Sequence, residues 1–179
     1  GCIGSGACSP TSSPSQTPTS NLTPTLEPTS DITLTPTTSC FHVGQKVKIE
    51  ASTEEPIQVF EVQALSGNVN VALGKTATQS STLQNNNDKF GADNAIDGDS
   101  VTFSHTGDAN PWWMVDLEAS FSVESVVIMN RWCQDFNDMN ACLCRLSDAS
   151  VSLLDGNNNV IATNSMNNTC GILQVDVYF

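Results

Sequence analysis

Apolar and polar residues alternate along much of the chain's second half. Leu173, Val175, Val177 and Phe179 are interleaved with Gln174, Asp176 and Tyr178, and Ala149, Val151 and Leu153 with Ser150 and Ser152. A period of two turns one apolar edge inward, so both stretches predict β-strands. Shorter apolar runs at 47–49, 57–62, 71–73, 113–117 and 126–129 predict further strands, parted by turn formers such as Asp155-Gly-Asn-Asn and Ile96-Asp-Gly-Asp. No window keeps the 3.6-residue period of a helix for three turns. Short strands in succession without helices predict an all-β fold, an antiparallel β-sandwich or jelly roll.

Upstream the pattern breaks off. Between residues 9 and 39, 17 of 31 residues are Ser or Thr, 6 are Pro, and only Glu27 and Asp31 carry charge. Such a segment buries too little apolar surface to offset its ordering entropy. It reads as a disordered Ser/Thr/Pro-rich linker, a stalk that would reach roughly 95 Å in polyproline II at ~3.1 Å per residue. Residues 1–8, with Cys2 and Cys8, read as the end of an upstream cysteine-containing segment. The globular part begins near Cys40 and is long enough for one core.

Charge narrows the function. Six Lys and Arg stand against 19 Asp and Glu, a net charge of −13, which leaves no cationic surface to displace counterions from nucleic acid or to dock on anionic lipid. No apolar run approaches the ~20 residues of a membrane-spanning helix, so no membrane insertion is expected. Seven cysteines and two N-glycosylation sequons, Asn21-Leu-Thr and Asn167-Asn-Thr, point to an oxidising compartment, secreted or at the cell surface. The odd cysteine count and the opening at Gly1 without a leader suggest a piece of a longer protein.

Several motifs then follow in one order: Asn70-Val-Ala-Leu-Gly-Lys-Thr-Ala-Thr-Gln-Ser-Ser, Asn94-Ala-Ile-Asp-Gly-Asp, Ser104-His-Thr, Asn110-Pro-Trp-Trp-Met-Val-Asp-Leu, the run 123–127, and Met129-Asn-Arg. This succession resembles the fucolectin branch of the discoidin (coagulation-factor 5/8 type C) family over residues 70–178. The resemblance implies an eight-stranded jelly roll whose loops at one end hold a sugar beside a bound Ca2+. In the family a His and two Arg bind fucose, and His105, Arg131 and Arg145 match them. The chemistry suits those types, because a guanidinium fork offers parallel donors to hydroxyls and a neutral imidazole adds another bond. Trp132 could stack on a pyranose ring.

Beyond Arg131 the sequence departs from the family, which carries an adjacent Cys-Cys pair there. Here Trp132 and Cys133 precede a polar stretch, 134–141, and then Cys142-Leu-Cys144-Arg145. A disulfide from Cys133 to Cys142 or to Cys144 would close this insertion and rebuild an apolar wall for the sugar. Cys170 is a further candidate, and sequence fixes no connectivity. Zinc on three Cys and His105 is disfavoured by the Cys-x-Cys spacing and the oxidising compartment.

For calcium, which takes six to eight oxygens, Asn94, Asp97 and Asp99 match the family's site and Thr102 supplies a further oxygen. No EF-hand fits. The family closes with two strands, the second carrying a calcium-binding Glu, and their likeness lies upstream here, in Gly44-Gln-Lys-Val-Lys-Ile-Glu and Ile57-Gln-Val-Phe-Glu-Val-Gln. The segment 40–69 is therefore either a remnant of a preceding copy or a permuted edge of the domain at 70–179, which by itself is incomplete at its C-terminus. The second is preferred because an isolated hairpin is marginal, and it makes Glu61 a calcium ligand.

These readings converge on an extracellular, lectin-like module that binds a glycan or glycoprotein, with structural calcium and multivalency through repeats or oligomerisation. The alternative is an adhesive domain that keeps the fold without the sugar, and a third reading is a non-catalytic appendage of a secreted hydrolase. No carboxylate pair or nucleophile–base set is framed for catalysis, so the chain is not read as an enzyme.

Overall fold

The computed structural model describes residues 42–133 and 140–179. The expected upstream segment 1–8, the stalk at 9–39, Asn21 and Cys40 lie outside the described residues.

Two antiparallel sheets pack face to face. The first runs β4 (Thr76–Gln79), β6 (Trp112–Val123), β1 (His42–Ala51), β8 (Ala149–Leu154) and β9 (Val160–Ser165) in spatial order. The second runs β10 (Gln174–Tyr178), β7 (Ser125–Asn130), β2 (Gln58–Ser66) and β3 (Val69–Asn70), with β5 (Ser104–His105) also paired to β2. The alternation seen in sequence accounts for the core. Val47 and Ile49 of β1, Trp113, Val115 and Leu117 of β6, and Val151 and Leu153 of β8 point inward, against Val59 and Val62 of β2 and Val126 and Ile128 of β7. At Gly44 the sheet passes so close to Leu153 that a Cβ would collide with its side chain.

The segment 43–65 supplies strands to both sheets, and it does so at their centres rather than as an edge. β1 lies between β6 and β8, and β2 between β7 and the short strands β3 and β5. Apolar strands reading Val-Lys-Ile and Ile-Gln-Val-Phe are suited to that place, because a central strand has both neighbours to satisfy its backbone and a buried face to fill.

Three local expectations are corrected. Residues 71–73 form no strand: they turn after β3, with Ala72 fully buried and the Asn70 side-chain oxygen accepting from the Ala64 and Ala72 amides at 3.2 and 3.1 Å. Leu173 does not enter the core with Val175 and Val177, being 56% exposed just ahead of β10. Helical turns also occur: α1 (Asn87–Phe90), α2 (Asn140–Leu143) and 3-10 turns at Leu83–Asn85 and Ala92–Ala95. Each is too short to write a 3.6-residue period. The Asn86 side chain caps α1 by accepting from the Lys89 amide, which sets Phe90 into the interior.

Candidate functional site

Strand pairing at one end of the second sheet gathers the polar residues. In the β2–β5 pairing Gln58 stands opposite His105, and in the β2–β7 pairing Val59 stands opposite Asn130, so Arg131 follows directly alongside Gln58. Arg145 enters from the turn after α2. These side chains line one pocket of about 200 Å³ with Leu83, Phe90, Phe103, Cys133 and Cys142. The three residues expected to read a sugar are thus brought together. Cys133 is bonded to Cys142, so one of the two pairings left open by sequence places a disulfide in the pocket wall. Cys144 is bonded to Cys170, which ties the segment bearing Arg145 to the approach of β10.

Arg131 is held on two sides, whereas Arg145 Nε is buried without a hydrogen-bond partner. The Arg131 guanidinium carbon lies 4.0 Å from the centre of the Phe103 ring, and its Nη1 donates to Gln58 Oε1. Arg145 Nε lies 3.5 Å from Glu55 Oε2. His105 is buried, its Nδ1 2.6 Å from the Thr106 carbonyl and its Nε2 2.6 Å from the Gln58 amide nitrogen. Burial holds the His105 pKa below the usual imidazole value, and the charges of Arg131 and Arg145 act in the same direction against the pull of the Thr106 carbonyl. Trp132 is not part of the pocket lining. It is 39% exposed and tilts against Phe60, with ring centroids 6.5 Å apart. Gln58, Phe90 and Phe103 escaped the sequence reading, and only Gln58 carries a signal there, as a polar residue inside an apolar strand.

The acidic turn lies beside β2. Asp97 Oδ1 accepts from the Asp99 amide at 2.8 Å, Asp97 Oδ2 from the Thr102 hydroxyl at 2.8 Å, and Asp99 Oδ1 from the Val101 amide at 3.0 Å. Asn94 donates through Nδ2 to the carbonyls of Lys89 and Phe103. Gly98 takes the left-handed conformation, φ +80°, that closes the turn, and its amide donates to Glu61 Oε1 at 3.2 Å. Glu61 is 4% exposed and its second oxygen is buried with no hydrogen-bond partner. Burial, reinforced by the charges of Asp97 and Asp99, pushes the Glu61 pKa up to about 7. An orphaned carboxylate oxygen facing two further acids is the arrangement a hard cation would relieve. Among the described residues no three His, Cys, Asp or Glu side chains group closely enough to hold a metal alone, so carbonyl and hydroxyl oxygens would have to complete any shell.

Asn167 is exposed, as a modifiable sequon asparagine must be, while Thr169 is buried with its hydroxyl donating to the Met166 carbonyl at 3.3 Å. No described helix is long and apolar enough to cross a membrane.

Comparison with known proteins finds one family model and several relatives. A family model described as NedA-like, galactose-binding domain, of the F5/F8 type C group, matches residues 94–177. Fucolectin-6 of Anguilla japonica is 47% identical over 70 residues, covering 35% of this chain and 38% of the relative. Fucolectin-4 of the same eel is 35% identical over 112 residues, 58% of this chain and 56% of the relative. Fucolectin of Anguilla anguilla is 34% identical over 113 residues, 58% of this chain and 65% of the relative. The chain therefore spans between 38% and 65% of the length of these curated relatives. No solved structure matches it significantly.

Proposed function

We propose that the described strands form a fucolectin-like domain of the F5/F8 type C (discoidin-like) family, as the family model and the fucolectin relatives support, and that the chain is an extracellular carbohydrate-binding module that takes a deoxy sugar such as fucose. The observation that carries the reading is the convergence of His105, Arg131 and Arg145 on one pocket walled by the Cys133–Cys142 disulfide and two phenylalanines. Apolar wall and polar rim match the two sides of a sugar that has lost one hydroxyl. A monosaccharide of about eleven heavy atoms, at roughly 0.3–0.4 kcal/mol each, binds near millimolar. Useful avidity then requires several copies, through repeats or oligomerisation. The two disulfides are those of an oxidising compartment, which supports secretion or cell-surface display.

Calcium belongs to the same proposal. Glu61, Asp97 and Asp99 do not group closely enough here to hold an ion, so the turn would have to draw their oxygens in, with those of Asn94 and Thr102, and the ion would then neutralise the turn and fix it against β2.

A titration of the full chain with methyl α-L-fucoside tests the sugar reading: millimolar binding, abolished in Arg131→Ala, supports it, and a flat titration together with a blank glycan array removes it. One observation favours a second reading, an adhesive domain without sugar affinity. Gln58 and Glu55 already partner His105, Arg131 and Arg145, and a ligand has to better those contacts.

A further inference from the structure

Gln58 is 1% exposed, and its amide has two chemically distinct ends. The oxygen only accepts and a guanidinium only donates, so the bond from Arg131 Nη1 fixes Oε1 toward Arg131. The amide nitrogen, which only donates, is left facing His105 Nε2 at 2.6 Å. That ring nitrogen must then present its lone pair. Consistently, the opposite ring nitrogen stands 2.6 Å from the Thr106 carbonyl, an acceptor that requires a proton on Nδ1. Donors and acceptors agree along the whole chain, from Arg131 through Gln58 and His105 to Thr106, for a single proton arrangement.

We propose that Gln58 is a positioning residue of this pocket, whose amide holds the Arg131 guanidinium at one end and a neutral, Nδ1-protonated His105 at the other. The inference rests on the sugar-binding reading for its purpose, though not for its geometry. A hydroxyl both donates and accepts. The one lone pair of Nε2 is taken by the Gln58 amide in this structure, so a sugar hydroxyl that donates to it must displace that bond; the neutral ring allows the exchange, whereas an imidazolium has no acceptor to give. Gln58 therefore keeps His105 Nε2 an acceptor before any ligand arrives, and the strand register places it opposite His105 of β5 and beside the residue that follows β7.

The test uses side-chain 15N NMR on the full chain, whose two histidines, His42 and His105, are assigned with a His42→Gln variant. In the unaltered protein at pH 7.5, His105 is expected neutral with its proton on Nδ1. In Gln58→Glu the new carboxylate accepts from a protonated Nε2, and the His105 titration moves up by at least one pH unit. In Gln58→Leu, methyl α-L-fucoside binding weakens at least tenfold. Should Gln58→Leu not fold, the first two measurements decide alone. A proton on Nε2 in the unaltered protein, or an unmoved titration in Gln58→Glu, overturns the proposal. The expected tautomer and shift in a protein that fails to bind methyl α-L-fucoside would uphold the positioning role and discard the sugar reading.

Discussion

Gln58 and Glu61 lie on either side of a register shift in β2, centred on Phe60. A strand alternates with period two, so residues three apart ordinarily face opposite ways; the extra residue resets the alternation. Val59 and Val62 consequently both enter the core, while Gln58 reaches Arg131 and His105 and Glu61 reaches the turn at Gly98. One central strand thus serves both the pocket and the acidic turn, from residues only three apart.

Glu61 makes the turn sensitive to pH. Its folded pKa of about 7 lies above the ordinary value of 4.5, so the unfolded chain ionises first. In chelator, stability is fully present below about pH 4.5 on account of this group and falls as pH rises through 7. Calcium bound to the ionised carboxylate removes that fall, because a ligand of the folded state alone stabilises it. Melting temperatures measured from pH 5 to 8, with calcium and with chelator, should diverge above pH 6 and coincide in Glu61→Gln. Superimposed curves for the unaltered protein would sink the calcium assignment.

His105 acts in the opposite sense. Its folded pKa is lowered from 6.5 by burial and by the two arginines, so its contribution is complete above 6.5 and is lost as pH falls toward the folded value. Protonation also removes the acceptor that faces Gln58. Fucoside affinity should therefore decline on acidification below the ordinary imidazole value of 6.5, and the decline should persist in Glu61→Gln, where the opposing carboxylate no longer titrates.

Arg131 combines an aromatic stack with a bond to a buried amide. Arg131→Ala gives up the contact with Phe103, about 0.5–2 kcal/mol, and leaves Gln58 Oε1 without this donor, about 1–3 kcal/mol. Chemical denaturation should show a loss of that order. Arg131→Lys keeps the charge but has no planar fork to lie on Phe103 while meeting Gln58. It should remain folded and still lose at least tenfold in fucoside affinity by calorimetry. An unaltered affinity would mean that charge alone serves.

The strands and the pocket were legible in sequence to different depths, for physical reasons. Strands whose inward residues are large, such as β6 with Trp113, Val115 and Leu117, announce themselves through alternation. β4 reads Thr-Ala-Thr-Gln and is held by pairing with β6, a tertiary cause that leaves no local pattern. His105, Arg131 and Arg145 were recognisable because such side chains are scarce in an acidic chain and sit in recognisable motifs. Gln58 was not, since nothing in Ile-Gln-Val-Phe says which residues β5 and β7 will bring beside it. Trp132 lies outside the pocket lining for a related reason: its place in sequence is next to Arg131, yet the chain leaving β7 turns its ring toward Phe60.

The Cys144–Cys170 bond should matter to stability and to binding together. It closes a loop with a sequence separation of 26, for which chain entropy gives roughly 3–4 kcal/mol. Cys144 immediately precedes Arg145, and the segment after Cys170 reaches the pocket side through Asn130, whose Nδ2 donates to the carbonyls of Leu143 and Ile172 at 2.8 and 3.2 Å. Freeing this bond lets the turn carrying Arg145 drift from β7, while the Cys133–Cys142 wall stays closed. A Cys144→Ser, Cys170→Ser double variant should show a lower denaturation midpoint and a fucoside affinity reduced several-fold even where the domain is fully folded. A variant that loses stability but binds as tightly as the parent would show that Arg145 is held by Glu55 and the pocket wall alone.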